Sequence, residues 1–306
     1  MTPRGRGVPD PARPGPAAEV VAGSCVLITG AARGMGEIYA RTAVSQGARA
    51  VALWDIDAPR AEALARELSA TGDAVVTAFV VDLADPAAIR SGVRAVEDSL
   101  GAPDILVNNA GIVRGAPFWE HDPERDIEAT MRVNALAPMW LTREVLPAMM
   151  ADRGRSKRIL TIASAAGTLP NPNMSVYAAS KWAAIGWSES LRLELERSGH
   201  RHIAVTTFCP SYVSTGMFAG ARGPLLTPIM TPETAAGAAW SGMLAGTPVV
   251  NRPWTVKLGM ATRGVLPTRA WDFVAGKIFK VYSSMDRFTG RREGTPAPRT
   301  TRSTRS

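Results

Sequence analysis

Short apolar segments alternate with longer amphipathic segments through the middle of the chain. Val, Ile and Leu run almost without interruption in the short segments, which is typical of strands covered on both faces of a parallel sheet. Such strands are predicted over residues 25–29, 48–54, 74–81, 104–107, 158–164 and 203–209. The intervening segments, such as 59–70 and 86–100, open near a Pro and an acidic residue, as helices do. This alternation predicts an α/β fold: a doubly wound parallel sheet (Rossmann-type) with helices on both faces.

The length of 306 residues is enough for one large domain with its own core. Residues 1–22 are rich in Pro, Gly and Arg and lack the apolar region of a signal peptide, so we interpret them as a disordered leader. The Rossmann-type domain is predicted over 23–250, a helical extension over 251–288 and a disordered basic tail over 289–306. No segment reaches the roughly 18 apolar residues of a membrane span, which favours a cytoplasmic location.

The positive charge of the chain is concentrated near its C-terminus. Residues 251–306 contain twelve Lys and Arg against three Asp and Glu, so the total of +8 leaves a net charge of −1 on the first 250 residues. A nucleic-acid-binding protein needs a basic face on the fold itself, and we therefore expect no nucleic-acid partner. The two cysteines and three histidines have no metal-ligand spacing, so no metal site is expected.

A glycine-rich turn connects the first predicted strand to the first predicted helix. Gly30, Gly34 and Gly36 would let the backbone approach a pyrophosphate at the helix N-terminus. Asp55 ends the second strand 19 residues after Gly36, where a carboxylate accepts hydrogen bonds from the ribose of NAD. The same carboxylate would repel the extra phosphate of NADP at a cost of several kcal/mol, although Arg33 could soften that repulsion. NAD is therefore favoured over NADP; the alternative for Asp55 is a helix N-cap.

A tyrosine and a lysine stand four residues apart in the segment SVYAASKWA, residues 175–183. On a helix Tyr177 and Lys181 would share one face, either as a surface pair or as a proton-transfer pair. A free tyrosine titrates near pH ~10, and a charged lysine about 4 Å away contributes ~4 kcal/mol at an effective dielectric constant of ~20. That energy corresponds to ~3 pKa units, so the spacing predicts a lowered pKa for Tyr177.

Several motifs occur in a fixed order along residues 24–215. They are TGAARGMG (29–36), NNAG (108–111), Asn134, Ser164, Tyr177 and Lys181. In this order and spacing they resemble the short-chain dehydrogenases/reductases. Within that family the sequence is similar to the retinol dehydrogenase and 17β-hydroxysteroid dehydrogenase branch, through LWDID, LPAMM, CPSYVSTGMF and a long C-terminal extension.

The resemblance implies an NAD-dependent oxidoreductase that interconverts an alcohol and a ketone or aldehyde, working as a homodimer or homotetramer. It implies that Tyr177 is the acid/base, that Lys181 holds the nicotinamide ribose, that Ser164 binds the substrate oxygen and that Asn134 supports a water relay. Cofactor contacts are implied for Gly30, Arg33, Gly34, Met35, Gly36, Asp55, Asp82, Leu83, Asn109, Ala110, Gly111, Tyr177, Lys181, Pro210, Val213 and Thr215. A helix cap is the alternative for Asp82. A non-catalytic dinucleotide-binding redox sensor or scaffold is the alternative for the whole protein.

Two further segments bear on the substrate. Residues 216–233 are apolar and rich in Gly and Pro, which suits a lid over a hydrophobic molecule of retinoid, steroid, terpenoid or long-chain type; the alternative is a loop that packs on its own domain. Residues 266–288 form an amphipathic pattern with a basic polar face. This predicts a helix that packs on the domain or at an oligomer interface, or that contacts a membrane surface peripherally. Ser211 follows Pro210 where the family often has glycine, which predicts a stiffer loop.

Overall fold

The computed structural model describes residues 20–225 and 227–290. Seven parallel strands form one sheet in the order β3-β2-β1-β4-β5-β6-β7. They are β1 (Cys25–Thr29), β2 (Ala50–Asp55), β3 (Val75–Val80), β4 (Ile105–Asn108), β5 (Lys157–Ile162), β6 (Ile203–Pro210) and β7 (Val249–Arg252). The predicted doubly wound parallel sheet is confirmed.

Helices cover both faces of this sheet. They are α1 (Gly34–Ser45), α2 (Ala58–Ser69), α3 (Pro86–Leu100), α4 (Ala137–Ala151), α5 (Ser175–Arg197), α6 (Pro232–Leu244), α7 (Thr255–Val265) and α8 (Thr268–Phe273). Val26 and Ile28 of β1 pack into one core with α1, α2 and α6, whereas Cys25 and Leu27 pack into a second core with α3, α4 and α5. Within the described residues no helix has both the length and the apolar content needed to cross a bilayer.

The edge strand β7 was not predicted from the sequence. It is only four residues long, it ends in Asn251 and Arg252, and prolines flank it at 248 and 253. Proline cannot donate to a sheet ladder, which argues against a strand in a sequence pattern but is tolerated at a sheet edge. The pairing of Val249 with Thr207 of β6 adds this strand to the sheet and directs the chain toward the C-terminal extension.

The described residues begin before the predicted boundary at residue 23. Val20 and Val21 are buried in the core, and the backbone of Ser24 donates to the carbonyl of Val21 at 2.9 Å. Val20 and Val21 of the predicted leader are therefore part of the fold, because their apolar side chains pack into the core that contains Val26 and Ile28 of β1. At the other end Thr289 donates from its backbone to Ala219 at 2.9 Å. The predictions for 1–19 and 291–306 lie outside the described residues.

The segment 266–288 does not form the single helix that its pattern predicted. α8 continues into a π-helical turn (Val274–Ile278), and the chain then breaks at Lys280, whose φ of 53° is left-handed. Trp271 and Met285 are buried, so these members of the apolar stripe face the protein, whereas Ile278 is 47% exposed. This is the domain-packing alternative of the prediction.

A buried ion pair joins strands at the amino-terminal edge of the sheet, opposite the glycine-rich turn. Asp104 lies just before β4 and accepts from the Cys25 backbone at 2.8 Å and from Lys157 Nζ at 2.7 Å. Both charged groups are almost fully buried. Lys157 also pairs with Asp152, whose side chain is 52% exposed. The Cys25 N–H group and the Lys157 ammonium are both buried and both have Asp104 as a hydrogen-bond acceptor. The Asp152 carboxylate, in contrast, remains accessible to water.

We predict that Asp104→Ala lowers the free energy of unfolding by about 3 kcal/mol, because it leaves the Lys157 ammonium incompletely paired inside the protein. The matched control Asp152→Ala should cost about 1 kcal/mol or less, since an exposed ion pair contributes little. Urea denaturation of both variants measures the difference. Equal losses for the two variants would show that the burial of Asp104 does not determine its contribution.

Candidate active site

The turn between β1 and α1 forms a glycine cradle. Gly30 has a left-handed φ of 62°, and a Cβ on Gly36 would lie 2.1 Å from the Gly30 carbonyl oxygen, so neither position tolerates a side chain. Arg33 stands at the N-cap of α1 but makes no capping hydrogen bond from its side chain, whereas Asp57 and Asp85 cap α2 and α3. The first-turn N–H groups of α1 and its positive dipole end therefore point at the space in front of the turn. This is the arrangement that binds phosphate groups.

Four hydrogen bonds tie this turn to the end of β4. The Thr29 hydroxyl accepts from the backbone N–H groups of Asn109 and Ala110, both at 3.0 Å. The Asn109 amide donates to the carbonyls of Thr29 at 2.9 Å and Gly30 at 3.1 Å. Asn109 thus holds the backbone of the glycine cradle at Thr29 and Gly30. The sequence motif contains Thr29, but its organising role becomes visible only in the folded chain.

Asp55 ends β2 at the same edge of the sheet. One carboxylate oxygen accepts from the backbone of Ala32 at 2.9 Å and the other accepts from Asp57 at 3.0 Å. Asp57, rather than Asp55, caps α2, so the helix-cap alternative for Asp55 is wrong. The Asp55 carboxylate is therefore fixed against the glycine turn with one side facing the cleft.

Asp82 and Leu83 follow β3 beside Asp55. The carboxylate of Asp82 accepts from the Ala84 backbone at 2.9 Å and forms a local turn. The cap of α3 is Asp85, so Asp82 does not fill that role either. Asp82 is exposed and Leu83 is buried, and both contribute to the wall of the cleft.

Asn134 lies in a π-helical turn (Arg132–Leu136) that leads into α4. Pro138 has no N–H to donate to the carbonyl of Asn134, which explains why the regular helical pattern is interrupted at this place. The Asn134 side chain accepts from the Ile112 backbone N–H and donates to the Ile112 carbonyl, both at 2.8 Å. It also donates to Ser180 on α5 at 3.1 Å. Both polar atoms are engaged, so the side chain clamps the loop after β4 against α5.

Tyr177 and Lys181 both lie buried on α5, at the centre of the site. Lys181 Nζ donates to the Ile162 carbonyl at 2.8 Å and lies 5.8 Å from the centroid of the Tyr177 ring. Burial lowers the pKa of Lys181 from 10.5 to about 8. Ser164, at the end of β5, hydrogen-bonds with the Tyr177 hydroxyl.

The pKa of Tyr177 differs from the prediction made from the helical spacing. Burial raises the pKa of the phenol well above its ordinary value, and the hydrogen bond with Ser164 opposes this effect only in part. The predicted lowering by Lys181 is wrong for this conformation, because the ammonium is directed at the Ile162 carbonyl. Burial disfavours the charged forms of both side chains, so the phenol keeps its proton at neutral pH.

The loop after β6 closes the cleft. Val213 is buried and forms a bridge with Met230, and Thr215 donates from its backbone to Val213 at 2.8 Å. Ser211 stands at the position after Pro210 where the family often has glycine, and it does not have a positive φ. Among the described non-glycine residues only Asn173 and Lys280 have one. The backbone at Ser211 therefore needs no glycine.

These elements enclose a cleft of about 260 Å³ along the carboxyl edge of the sheet. Except for Gly36 and Asn134, all the predicted site residues line it, namely Gly30, Arg33, Gly34, Met35, Asp55, Asp82, Leu83, Asn109, Ala110, Gly111, Ser164, Tyr177, Lys181, Pro210, Val213 and Thr215. The cleft also has lining residues that the sequence analysis did not assign to it: Trp54, Ile56, Val81, Ile112, Val133, Ile162, Ala163, Ser211, Met217 and Phe218. Most of them adjoin predicted residues along the chain, and this adjacency is the signal that could have identified them.

A second cavity, of about 140 Å³, adjoins the cleft. Its walls come from the loop after β5, the segment 216–233 and the C-terminal extension, and they are mostly apolar. They include Leu169, Met174, Leu225, Trp254, Leu258 and Trp271. The predicted lid residue Leu226 lies outside the described residues. We refer to this cavity as the apolar pocket.

Comparisons with known proteins agree with this geometry. A family model described as short chain dehydrogenase matches residues 24–224. Estradiol 17-beta-dehydrogenase 11 of Rattus norvegicus is 36% identical over 259 residues, which cover 84% of this chain and 85% of the relative. A short-chain dehydrogenase/reductase from Burkholderia phymatum, solved in complex with NAD, superposes with a TM-score of 0.72 at 23% identity, covering 80% of this chain and 94% of that one. The 3-ketoacyl-(acyl-carrier-protein) reductase from Brucella melitensis, complexed with NADH, has a TM-score of 0.65 at 27% identity, covering 76% and 97%.

The buried ammonium of Lys181 generates a prediction about stability and pH. The pKa of Lys181 is about 8 in the folded chain, against 10.5 for an ordinary lysine in water, so between these pH values the unfolded chain binds more protons than the folded chain. Stability attributable to Lys181 should therefore rise with pH across this interval, by on the order of 3 kcal/mol at 1.36 kcal/mol per pKa unit. We expect Lys181→Met to be more stable relative to wild type at pH 7 than at pH 10.5, as measured by urea denaturation at a series of pH values.

Lys257, exposed on α7, provides the matched control. Its ammonium stays in water in both states, so the difference between wild type and Lys257→Met should not change over the same pH range. A wild-type minus Lys181→Met difference that is constant from pH 7 to 10.5 would contradict the prediction.

Proposed function

The chain belongs to the short-chain dehydrogenase family, and from this premise we propose that it is an NAD(H)-dependent oxidoreductase that interconverts an alcohol and a ketone or aldehyde on a hydrophobic small molecule. One observation carries the proposal: Ser164, hydrogen-bonded to Tyr177, lines both the cleft and the apolar pocket. A proton donor and an oxygen-binding hydroxyl therefore meet where an apolar substrate would face a nucleotide. The name of the rat relative, an estradiol dehydrogenase, supports an apolar alcohol or ketone as substrate.

The cleft fits a nicotinamide dinucleotide. The glycine cradle and the first turn of α1 offer backbone N–H groups to a pyrophosphate, and Gly30 and Gly36 leave no side chain in the way. Asp55 is positioned for the adenosine ribose and Lys181 for the ribose at the other end of the cleft. When bound, the cofactor supplies or accepts the hydride. Side chains of the protein itself move the proton and bind the substrate oxygen.

Tyr177 moves the proton. Because burial keeps the phenol protonated, it is prepared to donate to a carbonyl oxygen as negative charge develops there. The Ser164 hydroxyl binds the same oxygen and stabilises that charge. In the oxidation direction Tyr177 must accept a proton, which requires its anionic form. The Lys181 ammonium favours that form and becomes more effective if its Nζ turns from the Ile162 carbonyl toward the phenol.

Asn134 is a positioning residue in this proposal. Its side chain holds the backbone of Ile112, and Gly111 lies between Asn134 and Lys181, since a Cβ there would be 3.2 Å from Asn134 Oδ1 and 3.6 Å from Lys181 Nζ. The predicted water relay would have to use atoms other than the engaged side-chain amide. The clamp keeps the loop after β4 in the position that forms the cleft wall.

NAD is favoured over NADP because the Asp55 carboxylate lies at the nucleotide end of the cleft. Two backbone N–H groups hold it there, so it cannot turn away from an added phosphate. Like charges placed together cost several kcal/mol. The Brucella reductase, whose structure contains NADH, is consistent with this preference.

The central test replaces Tyr177 by Phe. We expect kcat for oxidation of hydrophobic alcohols to fall by about 10²–10⁴-fold, because general acid–base catalysis contributes about that factor. NADH binding, followed by its fluorescence, should change little, since the ring that packs in the site is retained. The matched control is Tyr39→Phe: this buried tyrosine stacks on Trp240 in the core and its hydroxyl has no partner among the described residues. It should keep wild-type activity.

Activity that survives Tyr177→Phe would overturn the role of Tyr177. A protein that binds NADH tightly but turns over no alcohol or ketone of a broad hydrophobic panel would favour the sensor or scaffold alternative. The panel should include steroids, retinoids and long-chain alcohols, with absorbance at 340 nm as the readout.

Coenzyme choice gives a second test. We predict that Asp55→Asn raises the ratio of kcat/KM with NADP to that with NAD by about 10-fold or more, because the repulsive charge is removed. Asp57→Asn is the control, since Asp57 also carries a carboxylate and caps α2 but does not line the cleft. Its coenzyme ratio should equal that of wild type. An unchanged ratio in Asp55→Asn would show that another group sets the preference.

A further inference from the structure

The passage between the apolar pocket and the cleft is formed by three residues. Ser164, Ser211 and Phe218 are the only described residues that line both cavities. Tyr177 lines the cleft but not the apolar pocket. These three side chains therefore form the boundary between the apolar pocket and the part of the cleft that contains Tyr177.

Phe218 is the residue that narrows this passage. Its ring packs edge-to-face against Tyr177, with centroids 5.7 Å apart and an angle of 83°. It packs in the same way against Tyr212, at 5.3 Å and 84°. The other two lining residues are serines, whose side chains are too small to close the passage. The aromatic ring thus stands between the proposed acid/base and the proposed substrate cavity.

Tyr212 provides a fixed wall behind this ring. Its hydroxyl receives a hydrogen bond from the Asn171 amide at 3.1 Å and shares one with Ser284 at 2.8 Å. Asn171 also donates to Ser284 at 2.9 Å. Ser284 belongs to the C-terminal extension, so this network fixes Tyr212 from two distant parts of the chain. Phe218 cannot move toward Tyr212 without breaking that network.

The backbone that carries Phe218 is also held. Gly216 and Gly220 flank the residue with φ values of 84° and 83°. Ala219 accepts from the backbone N–H of Thr289 at 2.9 Å. Since the main chain is fixed to the C-terminal extension, a rotation of the Phe218 side chain would widen the passage without movement of the loop.

We propose that Phe218 sets a preference among the substrates that reach Tyr177, favouring a narrow reacting end such as a primary alcohol or aldehyde on an unbranched chain over an alcohol or ketone carried on a ring. This proposal rests on the proposed function and specifies its substrate class. Discrimination by the shape of an apolar site reaches about 10–200-fold. The ring also shields Tyr177 from water, so that one side chain controls both access to the phenol and its environment.

The test compares two ten-carbon alcohols, n-decanol and cyclodecanol, with NAD and the full-length protein. In wild type kcat/KM should be higher for n-decanol. Phe218→Ala should raise the ratio of kcat/KM for cyclodecanol to that for n-decanol by about 10-fold or more, and this ratio cancels any effect of the variant that is common to both alcohols. Phe218→Leu keeps most of the apolar contact, so its ratio should lie between those of wild type and Phe218→Ala. The matched control Phe279→Ala enlarges the apolar pocket away from the passage and should affect both alcohols alike.

A second measurement does not depend on turnover. The tyrosinate absorbance of Tyr177 is the part of the alkaline titration that disappears in Tyr177→Phe, measured once with Phe218 present and once in Phe218→Ala. This absorbance should appear at lower pH in Phe218→Ala than in wild type, because water reaches the phenol once the Phe218 ring is removed. If neither alcohol is turned over, the proposed substrate class fails and this titration alone decides whether Phe218 shields Tyr177. Unchanged selectivity together with an unchanged titration would overturn the inference.

Discussion

The hydrogen bonds between Thr29 and the start of the loop after β4 hold the whole site together. All seven strands run in the same direction, so their carboxyl ends meet at one edge, but parallel strands alone do not fix the loops that follow them. The bonds from Asn109 and Ala110 to Thr29 lock the glycine turn of β1 to the wall supplied by β4. Asn134 clamps the continuation of that wall against α5. The helix that carries Tyr177 and Lys181 is thereby connected to the cradle through the loop after β4.

Burial has a larger effect on the pKa values of Tyr177 and Lys181 than the attraction between the two side chains. Both side chains are desolvated, which raises the pKa of the phenol and lowers the pKa of the ammonium to about 8. Each group is pushed toward its neutral form by the same low-dielectric surroundings. A small rotation of the Lys181 ammonium changes the field at the phenol, because interactions at short range in such surroundings are strong. The site is therefore sensitive to contacts that reposition Lys181 Nζ.

The C-terminal extension does more than cover the domain. Trp271, Phe279 and Val281 form part of the apolar pocket, and Ser284 holds Tyr212 in place behind Phe218. Backbone hydrogen bonds from Arg222 to Ser284 and from Leu225 to Phe279, both near 2.9 Å, fix the loop after β6 onto it. The geometry around Tyr177 thus depends on residues about 100 positions later in the chain, such as Ser284.

The sequence by itself determined six of the seven parallel strands, the cradle and most of the residues of the cleft, because these follow from local patterns. Apolar runs of four to eight residues predict buried strands, and a glycine turn between a strand and a helix, with an acidic residue at the end of the second strand, predicts a dinucleotide site. Only the tertiary structure decided the ionisation of Tyr177, the clamp made by Asn134 and the position of Phe218. It also decided the form of 266–288, where the pattern predicted one helix and packing of Trp271 and Met285 against the domain produced a broken one. These features depend on burial and on contacts between segments distant in the chain, and such contacts leave no periodic trace in the sequence.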